Sequence, residues 1–517
     1  DVYKRQRQDT HSILVKQLSY HRLTLNSLFT DLICMITLVK GSWVVGYDGT
    51  SHRLISEGEV AYEDDRIIYV GKHYDGKPDK EINAKGKLVS PGFINIHAVT
   101  SICITHFRID GVTKGGKTPT KQQMLQNLET STPHLTGEDL KTSALFSFIE
   151  LLKGGATTIG EITAFGTTGL QPPLEQAEEF IKVASELGAR AYISHPYTDM
   201  KKYRNQRGET EYHHDPEGGM KALKSGVDFC KRYEGTHEDR IRTMLFPYMF
   251  DACSTELLKE TRKQADQLDI PVHMHTAQYP AEYYESLRRY GKTPIHHLHD
   301  IEFLAPKTIL THLLYTSLNP ASQTPGLPIR DPRDIRMLAK TGATLGHTPL
   351  VWARRGQALY SYAKFRDMGV NIAIGTDAWP MDMIMEMRSA VTTAKLMERS
   401  RTAVTAADVY NAATLGGAKA LGRTDIGCLR EGAKADIILV NLKGFHTSLV
   451  DDPIKSMVYF GNQNDIETVI IDGKTIIENG AIPGINLQEL SDKANKVNQR
   501  WKKRTGYQYP PCFQPLD

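Results

Sequence analysis

Short apolar segments alternate with longer amphipathic stretches through the middle of this chain, and this pattern sets the strongest limit on its fold. The apolar segments predict eight strands: Val89–His97, Ala156–Ile162, Ala189–Ser194, Ile241–Phe246, Ile270–His275, Thr308–His312, Ala343–His347 and Asn371–Asp377. Stretches between them, such as Leu174–Leu187 and Ser254–Leu268, carry apolar residues at the spacing of amphipathic helices. Strands that alternate with helices in this way form parallel sheets. Eight such units in one block predict an α/β fold, a (βα)8 TIM barrel.

The turns after these strands distinguish the barrel from the other common parallel architecture. An open, doubly wound sheet typically carries a glycine-rich turn that binds phosphate. No Walker or G-x-G-x-x-G motif follows any of the predicted strands. The sequence therefore favours the closed barrel and argues against a nucleotide cofactor.

The two ends of the chain share short alternating segments separated by Gly and Asp, which is typical of a small β-domain. With 517 residues, the chain exceeds the usual size of a single core. We predict that residues 35–87 and 425–480 form one discontinuous β-sandwich domain and that residues 88–424 form the barrel. Residues 1–34 show no regular period and are interpreted as a leader. Residues 481–517 are interpreted as a C-terminal tail, of which Asp492–Asp517 is expected to lie on the surface or at a subunit contact.

Composition and charge argue against several kinds of partner. The net charge of +3 is spread without a basic block, so nothing favours nucleic acid or an anionic membrane. The apolar run Ser27–Val39 is too short to span a bilayer and contains Asp31. Six cysteines lie far apart with no C-x-x-C pair, which fits a reducing compartment. We therefore expect a cytoplasmic protein.

Chemically active side chains stand at the predicted carboxyl ends of several strands, where the loops of a barrel converge on one cavity. They are His97, His275, His312, His347 and Asp377. Each alone could be a hydrogen-bonded core histidine or a helix-capping aspartate. Together they predict a metal site. Imidazole and carboxylate ligands favour one divalent ion of zinc, iron, cobalt or manganese over calcium.

An ion with an open coordination position would activate water for hydrolysis. In this interpretation Asp377 both binds the ion and accepts the proton of the water. His312 then polarises a substrate carbonyl or protonates a leaving amine. His312 could instead be a further ligand.

Five motifs in chain order resemble the amidohydrolase superfamily. They are Pro91-Gly-Phe-Ile-Asn-Ile-His97, His273-Met-His-Thr-Ala-Gln278, Thr311-His312, Gly375-Thr-Asp377 and Gly432-Ala-Lys-Ala-Asp436. The nearest likeness is to the branch of cytosine and guanine deaminases, triazine hydrolases, and phenylurea and molinate hydrolases. The resemblance spans Met35 to about Asn479. It implies a metal-bearing (βα)8 barrel with a small β-sandwich from both chain ends, a small-molecule substrate and homo-oligomeric assembly.

The resemblance also implies roles for single residues. His97 takes the place of the first histidine in the family's strand-one pair, and His275, His312 and Asp377 match the strand-five, strand-six and strand-eight positions. The predicted fourth strand carries no lysine that could bridge two ions, so one ion is expected.

Strand one departs from the family pattern. Val99 stands where the second histidine of the pair is expected, and a valine cannot bind a metal. Asn95 points the same way as His97 by the two-residue strand period, so it could replace the lost ligand. The resemblance implies such an altered pair in the phenylurea and molinate hydrolases. Asn95 could equally be structural, and both interpretations stay open.

Strand five also departs from the pattern of the deaminases. Gln278 stands where they keep a glutamate that transfers protons, and an amide cannot do this near neutral pH. The sequence therefore predicts cleavage of a C–N bond in a small neutral amide, urea, carbamate or thiocarbamate. The alternatives are a deaminase of a cytosine-, guanine- or triazine-like heterocycle and an inactive scaffold homologue.

The substrate pocket is expected to be formed by loops that follow the strands. The residues predicted to line it are Gln278, His347, Trp379, Phe107 and Trp352. Aromatic walls with few charges fit a neutral, partly aromatic molecule. Each aromatic residue could instead be ordinary core.

Overall fold

The computed structural model describes residues 35–105, 135–162, 171–319 and 331–505. The predicted leader 1–34 and the predicted pocket residue Phe107 lie outside the described residues. Within the described part of the chain, no helix has the length and hydropathy needed to cross a membrane.

The strands, in chain order, are β1 (Ile36–Tyr47), β2 (His52–Glu63), β3 (Arg66–Gly71), β4 (Lys80–Pro91), β5 (Phe93–Ala98), β6 (Ala156–Ile162), β7 (Arg190–Ser194), β8 (Met200–Arg204), β9 (Thr210–His214), β10 (Ile241–Met244), β11 (Val272–Thr276), β12 (Thr308–His312), β13 (Thr344–His347), β14 (Asn371–Ile374), β15 (Ile437–Asn441), β16 (Ile466–Ile471) and β17 (Lys474–Ile477). The main helices are α1 (Gly137–Lys153), α2 (Leu174–Glu186), α3 (Pro216–Tyr233), α4 (Thr255–Leu268), α5 (Pro280–Tyr290), α6 (Pro294–Asp300), α7 (Arg333–Thr341), α8 (Pro349–Ala353), α9 (Tyr362–Asp367), α10 (Met383–Glu398), α11 (Ala406–Asn411), α12 (Gly417–Ala420), α13 (Pro453–Phe460) and α14 (Leu487–Thr505).

The central strands form two parallel sheets of four strands each. Their orders are β10-β7-β6-β5 and β11-β12-β13-β14. Isolated parallel bridges join the sheets at both edges, from Ala98 to Asp377 and from Leu245 to Val272. Each of the eight predicted strands therefore corresponds to an observed strand, and neighbours along the chain are neighbours in space apart from the inserted β8–β9 hairpin. Parallel strands that are buried on both faces appear in the sequence as continuous apolar runs. For this reason they could be predicted from the sequence.

The two chain ends meet in one seven-stranded sheet, in the order β17-β16-β15-β4-β1-β2-β3. β15 pairs with β4, so the last part of the chain continues the sheet begun by the first. The apolar side chains of this sheet form their own cluster, which includes Val44, Val60, Leu429 and Ile437. Both chain ends therefore contribute strands to this one sheet.

The predicted strand Val89–His97 is in fact two strands that belong to different sheets. β4 ends at Pro91 in the sheet of the chain ends, and β5 starts at Phe93 in the parallel sheet. Gly92 lies between them, where an added Cβ would come within 2.1 Å of the Thr157 side chain. The apolar run continues through the break because both strands are buried, so hydropathy alone could not separate them.

The segment after residue 480, of which we expected Asp492–Asp517 at the surface or at a subunit contact, contains a helix that packs on the rest of the chain. Its residues Leu487–Thr505 form α14, which packs against α1. The buried side chains are Leu490, Ala494, Val497 and Trp501. Their spacing of four, three and four residues is that of one helix face, a signal that the polar composition of the segment obscured.

Candidate metal centre

Three histidines meet at the carboxyl ends of the parallel strands. His97 comes from β5, His275 from β11 and His312 from β12, and one ring nitrogen from each lies within 4.8 Å of the other two. All three side chains are buried. Residues more than 200 positions apart meet because the carboxyl ends of parallel strands face the same side of the molecule.

Asp377 joins this cluster from just beyond β14. Its carboxylate Oδ2 lies 3.6 Å from His97 Nε2 and 3.8 Å from His312 Nε2. Its backbone N–H donates to His97 O at 2.8 Å, and Val99 N–H donates to Asp377 O at 2.6 Å. These two bonds hold the carboxylate against β5.

Several residues of the centre have left-handed backbone conformations. The φ angle is 59° at Asp377, 88° at His312 and 52° at Ala277. Non-glycine residues adopt such conformations at a cost and are held there by surrounding structure. The surrounding structure therefore holds the backbone of Asp377 and His312 in a fixed, strained conformation at the centre.

The ring of His97 leaves one nitrogen without a partner. Nδ1 lies 2.8 Å from His273 Nε2, whereas Nε2 is buried and has no hydrogen-bond partner among the described residues. An unsatisfied buried polar atom costs about 1–3 kcal/mol. The orphaned Nε2 beside a carboxylate and two other imidazoles therefore fits a metal ion, which would bind its lone pair.

His275 is oriented by the backbone. Its Nδ1 lies 2.7 Å from the carbonyl oxygen of Tyr248. A carbonyl oxygen can only accept, so Nδ1 carries the proton and Nε2 keeps a lone pair. Burial, together with the neighbouring His97, lowers the pKa of His275 to about 3. The ring is therefore neutral and able to bind a metal at neutral pH.

His312 contacts two side chains through Nδ1. Thr348 Oγ1 lies 2.9 Å away, and the Trp352 indole N–H donates to the same nitrogen at 2.8 Å. Burial, with the nearby His97, lowers the pKa of His312 well below its usual value, so this ring is also neutral.

The side chain of Asn95 is engaged away from the cluster. Its Nδ2 donates to Thr376 Oγ1 at 2.8 Å, and its Oδ1 accepts from the backbone N–H groups of His97 and Thr376, both at 3.2 Å. Asn95 thus ties β5 to the turn that carries Asp377. These contacts favour the structural interpretation of Asn95 over ligation.

The predicted pocket residues that the structure describes have different surroundings. Gln278 is buried directly after β11, and its amide Nε2 has no hydrogen-bond partner among the described residues. Trp352 is buried against His312. His347 lies outside the cluster of three histidines and packs on Tyr362 at a ring distance of 5.8 Å. Trp379 is partly buried, and its carbonyl oxygen accepts from Arg354.

Glu282 supports the turn that carries Gln278. Its two carboxylate oxygens accept from the backbone N–H groups of Ala277 at 2.6 Å and Gln278 at 2.9 Å. Burial raises the pKa of Glu282 above its usual value. Since both oxygens are occupied by the backbone, Glu282 holds Gln278 in place.

The sequence did not reveal the side chains and carbonyl that orient the three histidines. His273 contacts His97, and the Tyr248 carbonyl, Thr348 and Trp352 contact the other two rings. Two of them carried a signal: His273 precedes His275 by two residues on the same strand face, and Trp352 was predicted to line the pocket. The others come from separate loops.

Curated relatives resemble the chain over most of its length. The 5'-deoxyadenosine deaminase of Methanosarcina mazei is 28% identical over 464 residues, which cover 89% of this chain and 97% of the relative. The 5-methylthioadenosine/S-adenosylhomocysteine deaminase of Thermococcus onnurineus is 28% identical over 447 residues, or 86% of this chain and 94% of the relative.

Solved structures share the fold. An adenosine deaminase from Xanthomonas campestris with bound zinc has a TM-score of 0.74 at 22% identity, covering 91% of this chain and 99% of that chain. An atrazine chlorohydrolase from Arthrobacter aurescens in complex with zinc has a TM-score of 0.73 at 19% identity, covering 89% of this chain and 100% of that chain.

A family model described as the amidohydrolase family matches residues 88–476, which include the three clustered histidines and Asp377. This range starts in β4, runs through both parallel sheets and ends in β17. The chain therefore belongs to the amidohydrolase family and is a hydrolase that acts on carbon–nitrogen bonds.

Proposed function

We propose that His97, His275 and Asp377 hold one divalent ion, with zinc as the first candidate. We further propose that the chain uses it to hydrolyse a C–N bond in a small neutral amide, urea, carbamate or thiocarbamate. The observation that carries the proposal is the buried, unpartnered His97 Nε2, 3.6 Å from the Asp377 carboxylate. In this proposal the eight parallel strands close into a (βα)8 barrel that presents these groups on one face.

A divalent ion held there would lower the pKa of a coordinated water and polarise a carbonyl oxygen. Burial of Asp377 opposes its ionisation, but the basic groups around it, His97, His312 and Arg355, outweigh this effect, so the pKa of Asp377 lies below its usual range. Asp377 is therefore an available carboxylate that can accept a proton from water. His312 Nε2, 3.8 Å from the same carboxylate, stands where it can bond a substrate oxygen or a leaving nitrogen.

Gln278 favours an acyclic substrate. Deamination of a heterocycle requires a proton to reach a ring nitrogen, and the amide of Gln278 cannot transfer one near neutral pH. Glu282, the nearest carboxyl along the chain, has both oxygens bonded to the backbone. Hydrolysis at the carbonyl of a urea or an amide needs no proton at a ring nitrogen.

A deaminase of a nitrogen heterocycle is the second candidate. It is favoured by the relatives, which are named as deaminases of adenosine derivatives and cover 86–89% of this chain. Under this function, another group near the pocket would have to supply the proton that Gln278 cannot.

A paired substrate screen tests the proposal. Zinc-loaded protein is assayed for amine release from aryl ureas, carbamates and amides, and for ammonia release from adenosine-type nucleosides. We expect activity in the first set. Gln278→Glu should raise nucleoside deamination by about tenfold or more, since acid–base catalysis contributes about 10²–10⁴-fold, whereas the isosteric Gln278→Met should not. Ammonia release by the unaltered protein, with no amine release, would favour the second candidate.

Substitutions on β5 separate the two interpretations of Asn95. Asn95→Ala should keep the bound ion because the Asn95 amide is used by Thr376 and the His97 backbone. Val99→His should tighten metal retention, by about tenfold or more, by restoring the second histidine. Metal content after dialysis against a weak chelator measures the effect of each substitution. Depletion in Asn95→Ala with no gain in Val99→His would instead make Asn95 a ligand.

A further inference from the structure

The indole of Trp352 decides which nitrogen of His312 carries its proton. An indole N–H can only donate a hydrogen bond. It points at His312 Nδ1 over 2.8 Å, so Nδ1 must present a lone pair, because a proton there would face the indole proton directly. A neutral imidazole has one N–H, which therefore lies on Nε2. Nε2 is the nitrogen that faces Asp377.

His275, in the same cluster, carries its proton on the other ring nitrogen. The rings of His275 and His312 lie nearly parallel, with centroids 5.4 Å apart and an angle of 17° between their planes. The Tyr248 carbonyl draws the proton of His275 to Nδ1 and leaves Nε2 free to bind a metal. The Trp352 N–H does the opposite to His312. Two adjacent histidines at similar depth are thus given opposite tautomers by a fixed acceptor and a fixed donor.

Thr348 alone cannot fix this tautomer. Its hydroxyl lies 2.9 Å from the same Nδ1, but a hydroxyl can donate or accept. Without the indole N–H, Nδ1 could be protonated and donate to Thr348. His312 Nε2 would then offer a lone pair 3.8 Å from the Asp377 carboxylate, in the cluster that also holds His97 and His275.

Contacts with neighbouring side chains fix the orientation of the Trp352 indole. The residue is buried on α8 and packs with Leu314 and Val351. The guanidinium of Arg355 lies over its ring at 4.9 Å, and the ring of Tyr279 meets it edge-on at 5.4 Å. Cation–π and edge contacts of this kind restrict the ring, so the N–H direction is preorganised.

We propose that Trp352 is a positioning residue that keeps His312 as an Nε2–H donor and so excludes it from the ligands of the ion. His312 then bonds the substrate carbonyl oxygen or the leaving nitrogen, while His97, His275 and Asp377 hold the metal. The inference rests on the proposed function and specifies which of the three clustered histidines does not bind the ion.

The test combines Trp352→Phe, His312→Asn and the double variant, each loaded with cobalt as a spectroscopic probe. Trp352→Phe removes the N–H and keeps most of the ring. We expect kcat to fall by about tenfold or more with a small change in KM. The cobalt absorption spectrum should change as His312 joins the ion, and metal release to a chelator should slow by about tenfold.

The other variants isolate His312. His312→Asn should lose activity but keep the metal and the original cobalt spectrum, and in the double variant the slowed release should disappear. Trp43→Phe, in the sheet of the chain ends, is the matched control and should change nothing. An unchanged spectrum and kcat in Trp352→Phe, or metal loss in His312→Asn, would overturn the inference while leaving the proposed function standing. Absence of stoichiometric metal in the unaltered protein would remove both.

Discussion

Replacing Asp377 with asparagine is expected to lower kcat by about 10²–10⁴-fold while the chain stays folded. The carboxylate has two oxygens, so it can bind a cation through one and accept a proton on the other, and an amide can do neither well. The fold should tolerate the change because asparagine adopts the left-handed conformation that Asp377 has, with φ at 59°. The backbone bonds to His97 and Val99 also remain.

The measurement is kcat at saturating zinc, so that weakened metal binding is not mistaken for a loss of catalysis. Asp367→Asn, at an exposed aspartate on α9 paired with Arg366, is the matched control and should retain full activity. If Asp377→Asn keeps more than a small fraction of the turnover under these conditions, another group accepts the proton.

Replacing Arg190 with methionine is expected to destabilise the protein by about 3–5 kcal/mol. Arg190 lies on β7 and is fully buried. Its guanidinium Nε is 2.9 Å from Asp436 Oδ2, its Nη2 is 3.2 Å from Asp436 Oδ1, and Nη2 also contacts Asp472. Asp436 precedes β15 and Asp472 follows β16, so this ion cluster joins the parallel strands to the sheet of the chain ends. Without Arg190, Asp472 would keep its ion pairs with Lys434 at 3.2 Å and Arg240 at 4.0 Å, whereas Asp436 would lose the guanidinium that it binds.

Urea unfolding followed by circular dichroism measures this effect. Arg53→Met, which removes an exposed arginine of β2 paired with Asp48, should leave the unfolding midpoint nearly unchanged. Equal midpoints for the two variants would show that the cluster around Arg190 does not hold the two sheets together.

The sequence predicted the parts of the fold that local pattern determines. Buried parallel strands leave continuous apolar runs, so β6 and β12 have the predicted bounds, and His275 and His312 lie at the strand ends as expected. Between α11 and α12 the chain forms a π-helical turn over Ala412–Gly416. That turn lies where Gly416 packs on the backbone of β14, a contact that no local pattern encodes.

The remaining features depend on contacts between distant residues. The break at Gly92 follows from its packing against Thr157, and the conformation of Asn95 follows from Thr376, 281 residues away. The proton on His312 follows from Trp352, a residue predicted only to line a pocket. Residue types at strand ends can therefore indicate a metal site, but the tautomers that separate ligand from donor require the three-dimensional arrangement.

Metal content per chain tests the central claim most directly. The unaltered protein is dialysed against a weak chelator, and its metal content is measured by elemental mass spectrometry. The variants His97→Ala, His275→Ala and His312→Asn are treated in the same way. We predict one divalent ion per chain in the unaltered protein and in His312→Asn, and far less in the other two variants. An unaltered protein without stoichiometric metal, or a full complement in His275→Ala, would contradict the account.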